Sequence, residues 1–131
     1  VTLFIDASAL VSMLANESDA FDLARRVRAA ERTVTSPLAI WEAVVALYKS
    51  HDFDLDVART LVRDFIAHQK VAILDIDAQT AEIAMDAFDR FGKGRHPARL
   101  NLGDCFAYAS ARVHELELLY KGEDFGRTDL A

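Results

Sequence analysis

The chain of 131 residues has one cysteine, Cys105, and therefore forms no intramolecular disulfide and no cysteine-based zinc site. A cytoplasmic location is the simplest expectation from that poverty of thiols. Only two prolines and five glycines interrupt the sequence, and there is no repeat, low-complexity tract or linker. One domain spanning residues 1–131 is expected at this length. No apolar run approaches the roughly 18 residues that cross a bilayer, so no membrane association is expected. The first apolar stretch is short and already contains Asp6, unlike a secretory signal. A basic excess is lacking too. The net charge of −6 argues against nucleic-acid binding, unless bound cations screen several carboxylates or the basic residues gather along one edge.

Apolar residues make up 52% of the chain, enough for a core. Thr2–Ile5 reads as a strand ending at Asp6, and Ala7–Leu14 as a short helix. Asn16 or Ser18 is the expected cap of a helix over Ala20–Ala30. A brief strand over Thr33–Thr35 leads to Ser36 and Pro37, a cap and first-turn pair that opens a helix through Glu42 to about Ser50. Asp54 is the expected cap of a helix over Leu55–Gln69, and Val71–Leu74 reads as a strand. A helix runs from Asp77 to Phe91 and stops at Gly92 and Gly94. After a basic loop, Lys93–Leu100, Asn101 caps a helix to about Glu115; Glu117–Tyr120 is the last strand and KGEDFGRTD a final loop. Short apolar strands alternating with helices predict an α/β fold, a central and mainly parallel sheet with helices on both faces. Ligands bind such sheets outside the carboxyl ends of the strands, where Asp6 and Asp124 are expected.

Asp6, Glu42, Asp104 and Asp124 are each set in apolar sequence. The helical neighbours of Glu42 are Leu38, Ala39, Val45 and Ala46, and those of Asp104 are Leu100, Asn101, Ala107 and Tyr108, with no cation among them. A carboxylate there is costly without compensation. A shared divalent cation is one form of compensation, and hard cations prefer carboxylate oxygens. Any one of these acids alone reads more readily as a helix cap or solvated edge residue; the four together, on elements that can converge at one sheet edge, favour a shared site.

Four segments carry a resemblance. FIDASAL looks like the start of a PIN domain, SPLAIWEAVVAL resembles the glutamate-bearing helix of VapC toxins, LNLGDCFAYASA their Asn-x-x-Asp motif, and LLYKGEDFGRTDL their last strand and loop. The resemblance implies a PIN-like three-layer α/β/α sandwich and an endoribonuclease toxin using Mg²⁺ or Mn²⁺. It implies Asp6 and Asp104 as direct metal ligands, with Glu42 and Asp124 binding directly or through water. Ser8, Asn101 and Thr128 match polar positions near that site, and Asp129 is a further acid in the last loop that contacts metal or water. An RNA substrate, a VapB-like antitoxin and a homodimer are implied as partners.

The phosphate-binding candidates are Lys93, Arg95, His96 and Arg99 in the basic loop, with Lys121 and Arg127 beside Asp124. Lysines and arginines that merely solubilise a loop are the competing reading. His51, His68, His96 and His114 lack zinc-motif spacing, and Cys105 reads as a buried thiol. Trp41 shares a helical face with Leu38, Val45 and Tyr48, the usual signature of core, or else part of a dimer or antitoxin groove. Two other functions remain open: a noncatalytic PIN-like module that binds metal and a partner, and an aspartyl-phosphate enzyme or receiver. The latter fits poorly, because Asp6-Ala7-Ser8 is not Asp-x-Asp and Asn101-to-Asp104 has no place in it.

Overall fold

The computed structural model describes residues 1–94, 96–122 and 125–130. Its centre is a four-stranded sheet, wholly parallel, in the order β3-β2-β1-β4. The strands are β1 (Thr2–Ile5), β2 (Arg32–Thr35), β3 (Ala72–Ile73) and β4 (Glu117–Leu119). The helices are α1 (Ala7–Leu14), α2 (Ala20–Ala29), α3 (Pro37–His51), α4 (Leu55–His68), α5 (Ala78–Phe91) and α6 (Leu102–Val113). From β1 the chain builds β2 and β3 on one side, then returns to add β4 on the other. The C-terminal ends of β1 and β4 thus flank the point where strand order reverses, the usual ligand crevice of such sheets.

Side chains alternate across β1. Phe4 enters a core with Val34, Ala87, Phe91, Leu100, Tyr108 and Leu118, beneath α5 and α6. Leu3 and Ile5 enter a second core with Leu10, Leu23, Ala43, Leu47, Val62 and Leu119, beneath α1 to α4. Both faces are therefore covered, as the apolar strands require.

Local chemistry sets most helix starts. Ser36 Oγ accepts from the Ala39 amide with Pro37 in the first turn, and Asp77 caps α5 through the Thr80 amide. Asn101 and Asp104 exchange side-chain-to-backbone hydrogen bonds in a capping box at α6.

Several expectations need correction. Neither Asn16 nor Ser18 caps α2: Asp19 occupies that position, and its carboxylate accepts from the Ser12 hydroxyl instead of a helix amide. Asp54 precedes α4 but makes no side-chain cap. β3 keeps only two residues of the expected four, because β3 pairs on one side only. Gly92 ends α5 in extended conformation; Gly94 is the left-handed residue, with φ 85°. The final loop contains a 3-10 turn, Phe125–Arg127, which buries Phe125 against Tyr120. Trp41 is not core: it is 62% exposed. Cys105 is buried, as expected. No helix among the described residues is long and apolar enough to cross a membrane.

Candidate active site

Asp6 follows β1 directly and is 4% exposed. Its amide continues the β1–β4 ladder by donating to Leu119 O at 2.9 Å. Its carboxylate caps α1: Asp6 Oδ2 accepts from the Ser8 amide at 3.1 Å and the Ser8 hydroxyl at 2.6 Å. Ser8 Oγ in turn accepts from the Lys121 amide at 2.9 Å, tying the segment after β4 to the acid after β1. Asp104 is fixed by α6, where its Oδ2 accepts from the Asn101 amide at 3.1 Å while Asn101 Oδ1 accepts from the Asp104 amide at 2.9 Å. Glu42 reaches the same region from α3.

Asp6, Glu42 and Asp104 line one cleft of about 480 Å³, with Ala7, Ser8, Val11, Glu17, Ala46, Lys121 and Gly122. Burial, followed by repulsion from Asp6 and Asp104, pushes the Glu42 carboxyl up to about 7. The like charges thus sense one another across the cleft.

That arrangement fits a divalent cation. All the donors are hard carboxylate oxygens, and their mutual repulsion is what a bound cation would relieve. Among the described residues no group of three or more His, Cys, Asp or Glu side chains is arranged to hold a metal ion. This is compatible with Mg²⁺, which commonly keeps several waters and takes one or two protein carboxylates. Asp6 and Asp104, each fixed by hydrogen bonds at a helix start, would hold such an ion, with the half-buried Glu42 beside them.

The other predicted site residues divide. Ser8 and Asn101 orient Asp6 and Asp104. Thr128 is buried, and its hydroxyl serves its own turn, donating to Phe125 O at 2.7 Å and accepting from the Leu130 amide at 3.1 Å. Asp129 does not line the cleft: it accepts from the Tyr108 hydroxyl at 2.6 Å and stands 3.8 and 3.6 Å from Arg90 and Arg112. Asp124 and Arg95 lie outside the described residues. Lys93, Arg99 and Arg127 are exposed and do not line the cleft. Among the described residues Lys121 is the only basic side chain on its wall, and Glu17, at 2.5 Å, and Asp19, at 3.7 Å, hold the Lys121 ammonium.

Glu17 and Gly103 escaped the sequence reading. Glu17 bonds to Lys121, 104 residues away, and lies 2.8 Å from His51, pairings that no local pattern reveals. Gly103 packs against the Glu42 carboxylate; its place one residue before Asp104 was the available signal.

Comparison with known proteins identifies the family. The model of the PIN domain matches residues 3–130. The chain is 42% identical to a VapC ribonuclease of Rhizobium meliloti, over 97% of this chain and 98% of that one. It is 41% identical to a ribonuclease VapC of Mycolicibacterium smegmatis, over 98% of each. The fold superposes on VapC20 of Mycobacterium tuberculosis, a sarcin–ricin loop cleaving toxin, with TM-score 0.74 at 16% identity, covering 95% of this chain and 92% of that one. It also superposes on a chain of a toxin–antitoxin complex from Klebsiella pneumoniae, with TM-score 0.69 at 21% identity, covering 99% and 94%. With acids from β1, α3 and α6 meeting beside the strand-order reversal, and with relatives matched along nearly their whole length, the chain belongs to the PIN-domain family, among its VapC ribonucleases.

Proposed function

We propose that the protein is a metal-dependent endoribonuclease toxin, one domain over residues 1–131, that hydrolyses RNA phosphodiester bonds in the cytoplasm and is neutralised by a VapB-like antitoxin. The observation that carries this reading is the cleft in which Asp6, Glu42 and Asp104 converge and Glu42 is pushed up to about 7. When bound, Mg²⁺ or Mn²⁺ supplies a Lewis acid that activates water and offsets charge on the phosphoryl oxygens. The protein's part is placement. Ser8 holds the Asp6 carboxylate, Asn101 holds Asp104, and Glu42, raised to about 7 while the acids face one another alone, would be ionised by a bound cation and is proposed to orient the attacking water. Asp124 is proposed as the fourth acid.

Lys93, Arg99 and Arg127, which do not line the cleft, are proposed with Arg95 to bind the RNA backbone, Lys121 being held by Glu17. Relief of carboxylate repulsion by the metal removes the objection raised by the net charge of −6. For the antitoxin, the groove between α3 and α4 supports docking of an amphipathic helix: Ile40, Trp41, Val44, Leu55 and Val62 line it, with Arg59 and Arg63 beside them. The exposed side chains of Met85, Phe88 and Leu102 supply an apolar surface suited to a homodimer.

The decisive experiment is cleavage of defined RNAs by the pure protein with Mg²⁺, Mn²⁺ or chelator, beside Asp104→Asn. Cleavage with metal alone, lost in the folded variant, is the expected result. Equal activity of the variant would remove the mechanism, and metal binding without cleavage would favour a noncatalytic binding module. In the same preparations, Lys93→Ala with Arg99→Ala is expected to flatten the salt dependence of RNA binding by about two phosphate contacts, and Trp41→Ala to weaken antitoxin binding with cleavage unchanged.

A further inference from the structure

Gly103 is the second residue of α6, buried, one position before Asp104. Glycine is a poor choice there, because it weakens a helix relative to alanine. The usual reason for it is missing: the left-handed glycines are Gly94 and Gly122, and Gly103 keeps a helical conformation that any residue adopts. Space is the remaining reason. A Cβ built on Gly103 would overlap Oε1, Oε2 and Cδ of Glu42, each well inside the 3.0 Å that real Cβ contacts keep. The colliding group is the half-buried end of a flexible side chain from α3 that borders the open cleft, so a side chain at position 103 would displace the Glu42 carboxylate toward the cleft.

We propose that Gly103 is a positioning residue, its missing side chain being the recess that seats the Glu42 carboxylate against the first turn of α6, level with Asp104 and Asp6. The claim rests on the nuclease reading for the purpose of that seat, but its steric core is independent of any activity. The recess fixes how far α3 and α6 bring their acids together. Any side chain at position 103 would push Glu42 outward and spoil the donor set while leaving every acid in the sequence.

A double-mutant cycle tests it: Gly103→Ala, Glu42→Ala and the double variant, unfolded in denaturant with chelator present, with Mn²⁺ binding to wild type and Gly103→Ala measured by calorimetry. Gly103→Ala alone is expected to lower the folding equilibrium constant by only about threefold, because the Glu42 end can swing aside, but to lower Mn²⁺ affinity by about tenfold or more. In the Glu42→Ala background the same change is expected to be neutral or stabilising, since the helix then gains alanine without a collision. If Gly103→Ala does not fold, recovery of the fold in the double variant supports the recess just as well. Equal destabilisation in both backgrounds, a double variant that also fails to fold, or unchanged Mn²⁺ affinity in Gly103→Ala overturns the proposal. None of these outcomes depends on cleavage, so a noncatalytic protein would leave the result readable.

Discussion

Two glutamates share the wall of one cleft and are treated oppositely. Glu17 meets Lys121 at 2.5 Å and His51 at 2.8 Å, and the hydrogen bond from Lys121, ahead of burial, lowers its carboxyl below the ordinary value of 4.5. Glu42 meets Asp6 and Asp104, and burial and their repulsion raise its carboxyl to about 7. The cleft therefore has a compensated side, where Glu17 pairs with a cation, and a like-charged side, where Glu42 is raised by burial and by Asp6 and Asp104. Pairing an acid with a lysine was within this sequence's means, as Glu17 shows, and the raised Glu42 carboxyl is where an external cation would have most repulsion to relieve.

The largest test of that contrast is metal addition. Metal at about 100 times its dissociation constant stabilises the folded state by roughly 2.7 kcal/mol, and the Mn²⁺ increment should be smaller in Glu42→Gln. Without metal the order reverses: near neutral pH and above, Glu42→Gln should be more stable than wild type, because it removes a buried like charge. Thermal unfolding with Mn²⁺ and with chelator measures both. Equal increments in the two proteins would erase the distinction between the two sides of the cleft.

A smaller effect is expected in pH dependence. Glu42 has a folded value above its unfolded one, so between about 4.5 and about 7 the folded state holds a proton that the unfolded state has released. Its contribution is complete below 4.5 and is lost as pH rises toward 7. In chelator, wild type should lose stability across that window relative to Glu42→Gln. Parallel curves would mean that neither burial nor Asp6 and Asp104 raises the Glu42 carboxyl.

The same contrast explains what could be read in the sequence. Strand β1, the Ser36–Pro37 start of α3 and the Asn101 capping box were legible because their determinants lie within a few residues of one another. Asp6 and Asp104 were legible as acids in apolar surroundings; Asp6 caps α1, Asp104 completes the capping box of α6, and both also line the cleft. What escaped was long-range. Asp129, read as a site acid, turns to Tyr108 on α6 and to two arginines. Trp41 follows a helical apolar stripe that periodicity assigns to core, yet the stripe outruns the surface that α4 covers and leaves Trp41 exposed. Glu17 was invisible because its partners come from α3 and from the segment after β4.

The smallest effect belongs to the compensated side. Glu17→Gln removes an ion pair in which Lys121 is about a third exposed and retains Asp19 at 3.7 Å. Exposed pairs contribute little, so the melting temperature should fall by roughly a few degrees at most, and less in high salt. The pH dependence has the opposite sign to that of Glu42. Glu17 has a folded value below 4.5, so its stabilisation is present above that pH and disappears as acid titrates the folded carboxylate. The curves of Glu17→Gln and wild type should therefore converge at low pH and run parallel between about 4.5 and about 7, where Glu42 contributes the same slope to both. If Glu17→Gln also abolished that slope, the two carboxylates would titrate as one network, and the division of the cleft into two sides would be wrong.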